Sequence, residues 1–254
     1  MRLHPDLWRQ LAMQRAVSLD QDEIERRRLQ AKAFYARHGR PDEDTLADHE
    51  LFILGKMERE EYEEYLAWKH APGVVHEVVE MNRLEQAIFA GGCFWCIQEA
   101  FDGVHGVVFT EAGYTGGVLV NPRYEDVQRG KGGHVEAVRV TFDPEIIGYA
   151  SLLDVFWRQI DPLQQNGQLS DIGPAYRSII FVLDENQRHL ADLSRRHLEQ
   201  SGRLAAPVAT QIRPAGPFYP AEAEHQYFFR RHADHYQRYK AMSRRAERLK
   251  AIWG

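Results

Sequence analysis

The chain has two cysteines, and they stand three residues apart in Gly91-Gly92-Cys93-Phe94-Trp95-Cys96. That spacing removes a whole class of folds. A disulfide stabilises largely by closing a long loop in the unfolded chain, and a bridge between such near neighbours closes almost none. A stapled scaffold is therefore excluded, and two thiols are too few for a four-ligand zinc site. The fold must rest on its own hydrophobic core, and a 254-residue chain that is 44% hydrophobic can supply one. Two readings of the thiols remain, redox chemistry or a pair of small buried core residues, and the spacing favours the first.

The net charge of −5 argues against a protein built to neutralise nucleic-acid phosphates. No apolar run approaches the length of a membrane span. The opening residues, Met1 to Gln10, are interrupted by charge and do not read as a secretory signal. These features imply a reducing cytoplasm, where a close cysteine pair is more often catalytic than structural.

Two textures divide the chain. Residues 1–73 are charged, poor in glycine and helically patterned. Asp20 and Asp22 favour a helix start, Ile24, Ala31, Phe34 and Tyr35 share a face, and Gly39 followed by Pro41 ends the run. Further helices are expected over 46–54 and 58–68, with Gly55 as the stop between them. This module shows no pattern with obvious chemistry. It reads as a packing or oligomerisation element, or as a domain that binds an unknown protein. Pro72-Gly73 marks the boundary. Residues 74–254 show short β-branched runs between glycine-rich turns, with strands expected at 87–90, 107–112, 135–142, 178–183 and 208–212. Helices are expected at 93–101, 151–159 and 185–200. The fold class is α+β: a two-layer α/β sandwich with a mixed sheet, preceded by a small all-helical N-terminal module.

A cysteine placed after a strand and two glycines falls at the first turn of a helix, where free N–H groups and the dipole favour negative charge. Cys93 is thus expected to be the low-pKa nucleophile, with Cys96 one turn on as its resolving partner. On 135–142, Glu136 shares a face with Val138 and Val140, an unusual place for a solvated carboxylate.

Beyond this point the residues are no longer generic. Gly92-Cys93-Phe94-Trp95-Cys96 resembles the signature of A-type peptide methionine sulfoxide reductases. The resemblance continues through Gly113-Tyr114-Thr115-Gly116-Gly117, Asn121-Pro122-Arg123-Tyr124-Glu125-Asp126-Val127 and Gly133-His134-Val135-Glu136. It extends to Asp171-Ile172-Gly173-Pro174-Ala175-Tyr176-Arg177-Ser178, Ala215-Gly216-Pro217-Phe218-Tyr219-Pro220-Ala221-Glu222 and His225-Gln226, and covers about residues 84 to 240.

The resemblance implies a reductase of methionine S-sulfoxide, in proteins and as the free amino acid. It makes Cys93 the nucleophile on sulfur, Glu136 the acid that protonates the oxygen, and Tyr124 and Tyr176 the phenols that hold it. Phe94 and Trp95 are implied to form the pocket for the substrate methyl group, and Asp171 to support the site. Many relatives resolve the sulfenic acid with cysteines near the C-terminus. This chain has none after Cys96, which leaves Cys96 to form the Cys93–Cys96 disulfide. Thioredoxin or another dithiol would reduce that bond, and no bound cofactor is implied. The alternative is a general thiol–disulfide oxidoreductase, which would have no use for Glu136 or Tyr124. A metal reading of His225, His232 and His235 on one helical face is opposed by Arg230, Arg231 and Arg238 among them. The string Gly130-Lys131-Gly132-Gly133-His134 lacks the hydroxyl residue of a phosphate loop and reads as a turn.

Overall fold

The computed structural model describes residues 4–72 and 83–254. They divide into two compact units, an N-terminal helical one and one that holds the sheet. Of the boundary expected at Pro72-Gly73, Gly73 lies outside the described residues.

The N-terminal unit holds α1 (Pro5–Gln14), α2 (Gln21–His38), α3 (Glu43–Ile53) and α4 (Arg59–Lys69). Asp20 caps α2 by accepting the N–H of Glu23, and Asp42 caps α3 through the N–H of Thr45. Helix α2 stops at Gly39, whose φ of 92° is open to glycine and strained for other residues. The turn expected at Gly55 is present, and Met57 behind it is fully buried. A polar knot lies inside. Glu61 accepts from Arg15 at 2.8 Å and from the Trp8 indole at 3.1 Å, while Asp48 accepts from Tyr65 at 2.8 Å and Lys69 at 2.5 Å.

The second unit is built on a six-stranded sheet of order β7-β6-β1-β3-β2-β8. Its strands are β1 (Glu85–Gly91), β2 (Val107–Thr115), β3 (Val135–Phe142), β6 (Ser178–Val182), β7 (Gln211–Pro214) and β8 (Tyr219–Pro220). The β6–β7 pair is parallel and the others are antiparallel, so the sheet is mixed. A two-stranded ribbon, β4 (Gly167–Gln168) and β5 (Asp171–Ile172), stands apart from it. The helices are α5 (Phe94–Asp102), α6 (Tyr124–Gln128), α7 (Tyr149–Trp157), α8 (Glu185–Gln200), α9 (Phe228–Arg231), α10 (Ala233–Ser243) and α11 (Arg245–Trp253).

Strand alternation explains the two layers. Phe89, Val138, Val140 and Phe142 face α5 and α7, where they pack with Ile97, Phe101, Leu152 and Phe156. Phe89 stacks on Phe101 and on Phe156, each with ring centres 5.0 Å apart. The intervening residues Ile88, Ala90, Val135 and Ala137 pack on the opposite face with Ile179, Phe181 and the covering Phe218. Cutting a ring such as Phe89 back to Ala costs about 3–5 kcal/mol in a core of this kind.

Strand β3 and helix α8 lie where the sequence puts them. Most other boundaries move by one to three residues, β1 to Glu85–Gly91 and β2 to Val107–Thr115 among them, and three of the shifts have a visible cause. The strand expected at 208–212 begins only at Gln211, because the N–H of Ala209 donates to Pro162 O at 2.7 Å instead of to a strand. Helix α7 runs Tyr149–Trp157 instead of 151–159, and ends where Gln159 and Ile160 turn back to Phe156 and Trp157. Helix α5 starts at Phe94, so Cys93 is its N-cap and not its first residue.

Candidate active site

Strand β1 delivers the cysteine pair. Its last residues run into Gly92, at φ 84°, where a Cβ atom would stand 2.6 Å from the Cβ of Gln168. Only glycine combines that dihedral with so close a neighbour. Gln168 is itself locked, its amide exchanging bonds of 2.8 and 2.7 Å with the backbone of Asp161. The turn therefore fixes the point at which Cys93 leaves the sheet.

Two carboxyls meet the start of α5. The N–H of Phe94 donates to Glu136 Oε2 at 3.0 Å, and the N–H of Cys93 donates to Asp171. Glu136 lies on the helix face of β3, as its alternation requires, opposite Tyr114 on β2. Burial pushes its carboxyl up to about 8, against the Phe94 bond that pulls the other way. At neutral pH it keeps its proton. Asp171 is also raised by burial, while Tyr239, Arg245 and the Cys93 N–H restrain the rise. The Tyr239 hydroxyl donates to Asp171 Oδ2 at 2.6 Å.

Tyr124 opens α6, and Tyr176 ends a single 3-10 turn, Pro174–Tyr176. The Tyr176 hydroxyl donates to that of Tyr124. Burial raises both phenols, that of Tyr124 to about 12. The charges of Glu136 and Cys93 act in the same direction on each. The two phenols thus stay protonated donors beside the carboxyl. The Phe94 ring lies 6.5 Å from that of Tyr124 and 5.4 Å from His225, while Trp95 stacks on Phe228 at 3.9 Å. All eight residues picked from the sequence are gathered in this one region.

One expectation is overturned. Cys93 does not have the depressed thiol of a free helix start. Burial, its hydrogen bond with Cys96 and the charges of Cys96, Glu136 and Asp171 push it well up. The thiol held down is Cys96, at about 7, through the bond from Cys93, the charge of Arg245 and a bond from Tyr236. The helix start does not offset the burial, because its first N–H groups are taken by Asp171 and Glu136. Both sulfurs are covered, Cys93 being 6% exposed and Cys96 2%. The three histidines do not share one helical face. His225 lies in a 3-10 turn against Tyr124, whereas His232 and His235 follow a break at the end of α9 and pack on Phe228.

Sequence reasoning missed the roof of the site. Tyr236 and Tyr239 on α10, Phe228 on α9 and Arg245 on α11 all reach the cysteines or their partners. The aromatic spacing Phe229, Tyr236, Tyr239 within an otherwise charged segment was the available signal. Gln226, by contrast, stood in a quoted motif. Its buried amide bonds Ala112 at 3.0 and 2.8 Å and Ala221 at 3.0 Å, pinning the segment to β2.

Residues 85–254 match the family described as peptide methionine sulfoxide reductase, and the N-terminal helices lie outside that match. The chain is similar to the peptide methionine sulfoxide reductase MsrA of Bacillus pumilus, at 47% identity over 172 residues, 68% of this chain and 97% of the relative. To the same protein of Bacillus licheniformis the identity is 46% over 173 residues, covering 68% and 96%. Among solved structures it is similar to methionine sulfoxide reductase A of Corynebacterium diphtheriae, with a TM-score of 0.54 and 27% identity over 63% of this chain and 80% of that one. The reduced form of Mxr1 from Saccharomyces cerevisiae gives a TM-score of 0.55 at 27% identity, over 60% and 87%. With its motif residues gathered at one site and relatives matched almost end to end, the chain belongs to the peptide methionine sulfoxide reductase family.

Proposed function

We propose that this chain reduces the S epimer of methionine sulfoxide to methionine, in proteins and as the free amino acid, by a two-cysteine cycle. Cys93 Sγ attacks the sulfoxide sulfur. Sulfoxide oxygen leaves poorly until protonated, and Glu136 supplies the proton while Tyr124 and Tyr176 donate hydrogen bonds to the same oxygen. The S–S bond so formed breaks as the hydroxyl passes to Sγ, so Cys93 becomes a sulfenic acid, methionine departs, and the proton lost from the Cys93 thiol restores Glu136. Phe94 and Trp95 offer the apolar wall for the substrate methyl group, and Asp171 orients Cys93 through its N–H. Cys96 then attacks the sulfenic sulfur, the S–O bond breaks, and water leaves as the Cys93–Cys96 disulfide forms. A dithiol such as thioredoxin reduces that bond by exchange.

The observation that carries this reading is Glu136: a buried carboxyl, raised to about 8, bonded at 3.0 Å to the residue next to the nucleophile. General thiol–disulfide exchange uses the same cysteines but has no sulfoxide oxygen for such an acid to protonate. The N-terminal helices are read as a separate domain, residues 1–73, ahead of a reductase domain at 74–254. Its role is to pack or to bind a protein partner.

The test is to supply each sulfoxide epimer with dithiothreitol and, separately, with a thioredoxin system. Turnover of the S epimer with both reductants is expected. Disulfide exchange on a model substrate without any methionine released would replace this reading with the alternative.

A further inference from the structure

The C-terminal helices bring no cysteine to the site, yet they cover the pair that is there. Tyr236, on α10, is fully buried, and its hydroxyl donates to Glu99 Oε2 at 2.7 Å while lying in hydrogen-bond contact with Cys96. Glu99 is held in turn by Lys240 Nζ at 2.8 Å. Arg245, at the start of α11, is 4% exposed, and its side chain donates to the carbonyl of Gln159. A buried guanidinium with no carboxylate on it among the described ion pairs is a strong local charge.

We propose that Tyr236 and Arg245 are positioning residues for disulfide formation: they hold the negative charge of the cysteine pair on Cys96, readying it to attack the oxidised Cys93. This rests on the reading of Cys96 as the resolving thiol. The phenol has one proton and two acceptors. While Cys96 is a thiol, that proton goes to Glu99. As Cys96 ionises, the hydroxyl turns to the sulfur, and Lys240 keeps Glu99 paired. The remaining groups around Cys96 oppose or share the charge. Cys93 donates to it from one turn back, Asp171 on β5 repels it, and Glu136 on β3 opposes it only once ionised. Tyr239 on α10 directs its proton to Asp171 instead. Arg245 is the cation in this set, and its field also reaches Asp171. The direction of the Cys96 shift, down toward neutrality, agrees with this geometry. In the reaction, the S–H bond of Cys96 and the S–O bond of Cys93 break, the S–S bond forms, and the thiol proton leaves with the hydroxyl as water.

The test reads the thiolate directly. In the full chain carrying Cys93→Ser, absorbance near 240 nm against pH reports Cys96 alone. Its midpoint is expected below the usual thiol value of about 8.5. Adding Tyr236→Phe should raise the midpoint by half a unit or more. Arg245→Met should do likewise, with Arg245→Lys restoring most of the shift. In the two-cysteine chain at pH 7, Tyr236→Phe should slow thiol loss after one equivalent of sulfoxide by roughly threefold or more relative to its effect on methionine release. Midpoints that coincide with the parent overturn the assignment. A shifted midpoint with unchanged disulfide formation overturns the role in resolution. If wild type releases no methionine, the reductase reading fails while the titration still stands. Phenylalanine keeps the ring of Tyr236, so that arm decides the matter even if the Arg245 variants misfold.

Discussion

The backbone N–H of Phe94 donates to Glu136 Oε2 at 3.0 Å, which ties a strand carboxyl to the turn of helix that carries Cys93. Because the accepting oxygen is already occupied, the proton of the neutral acid sits on the other oxygen, Oε1, where it is free to be given away. One bond thus sets both the place of the acid and its direction.

Replacing that acid should separate activity from stability. Glu136→Gln is expected to lower kcat by about 10²–10⁴. The native carboxyl binds its proton more tightly than the unfolded one, about 8 against about 4.3. The fold therefore loses stability as pH rises between those values, and the amide variant does not. Its Tm should exceed that of wild type by a few degrees at pH 8 and by less at pH 5, as calorimetry would show. Wild-type kcat should fall above about pH 8, and a flat profile to pH 9.5 would refute the assigned acid.

Cys96→Ser should stop the cycle after one turn. Without reductant it is expected to release one methionine per chain and to leave a sulfenic acid on Cys93 that a dimedone adduct reveals by mass. Cycling with thioredoxin should vanish while dithiothreitol still supports turnover. Undiminished thioredoxin cycling would move resolution to an external thiol.

Gly92→Ala places a Cβ at φ 84° and 2.6 Å from Gln168 Cβ. The dihedral costs about 1–2 kcal/mol and the clash adds to it, for a loss on the order of 3 kcal/mol in urea. Activity should fall more steeply than stability, since the same turn aims Cys93. A variant of wild-type stability would show that the turn can relax.

In the N-terminal unit, Arg15 and Glu61 are paired at 2.8 Å and both are buried. Arg15→Ala removes the guanidinium from the buried carboxylate of Glu61 and should cost that unit about 3–5 kcal/mol. Helical circular dichroism should drop, while turnover of free methionine sulfoxide stays within twofold if the unit has no part in the chemistry. Loss of turnover in step with helicity would tie the two units together functionally.

How much of this was legible in sequence depended on whether the signal was local. The alternation that put Glu136 beside Val138 and Val140 is a property of a strand alone, and it held. So did Gly39 as a helix stop. The strand expected over 107–112 runs on through Gly113 to Thr115. At Gly113 a Cβ would strike the Phe218 ring at 2.4 Å, so the missing side chain makes room for the covering segment, a reason that lies far along the chain. The thiol order was misjudged for a related reason. A helix start looks electropositive until one knows that Asp171 and Glu136, far along the chain, already occupy its N–H groups. Tyr236 and Arg245 likewise meet Cys96 only through the path of the last helices.

The burial of the two sulfurs has a consequence for survival. Peroxide oxidises a cysteine in proportion to its thiolate character and exposure. Cys93 is covered and has its proton held on, so the conditions that oxidise surface methionines leave it largely untouched. Cys93 is thus shielded from direct oxidation, and it meets oxygen on sulfur when a sulfoxide carried into the site brings it.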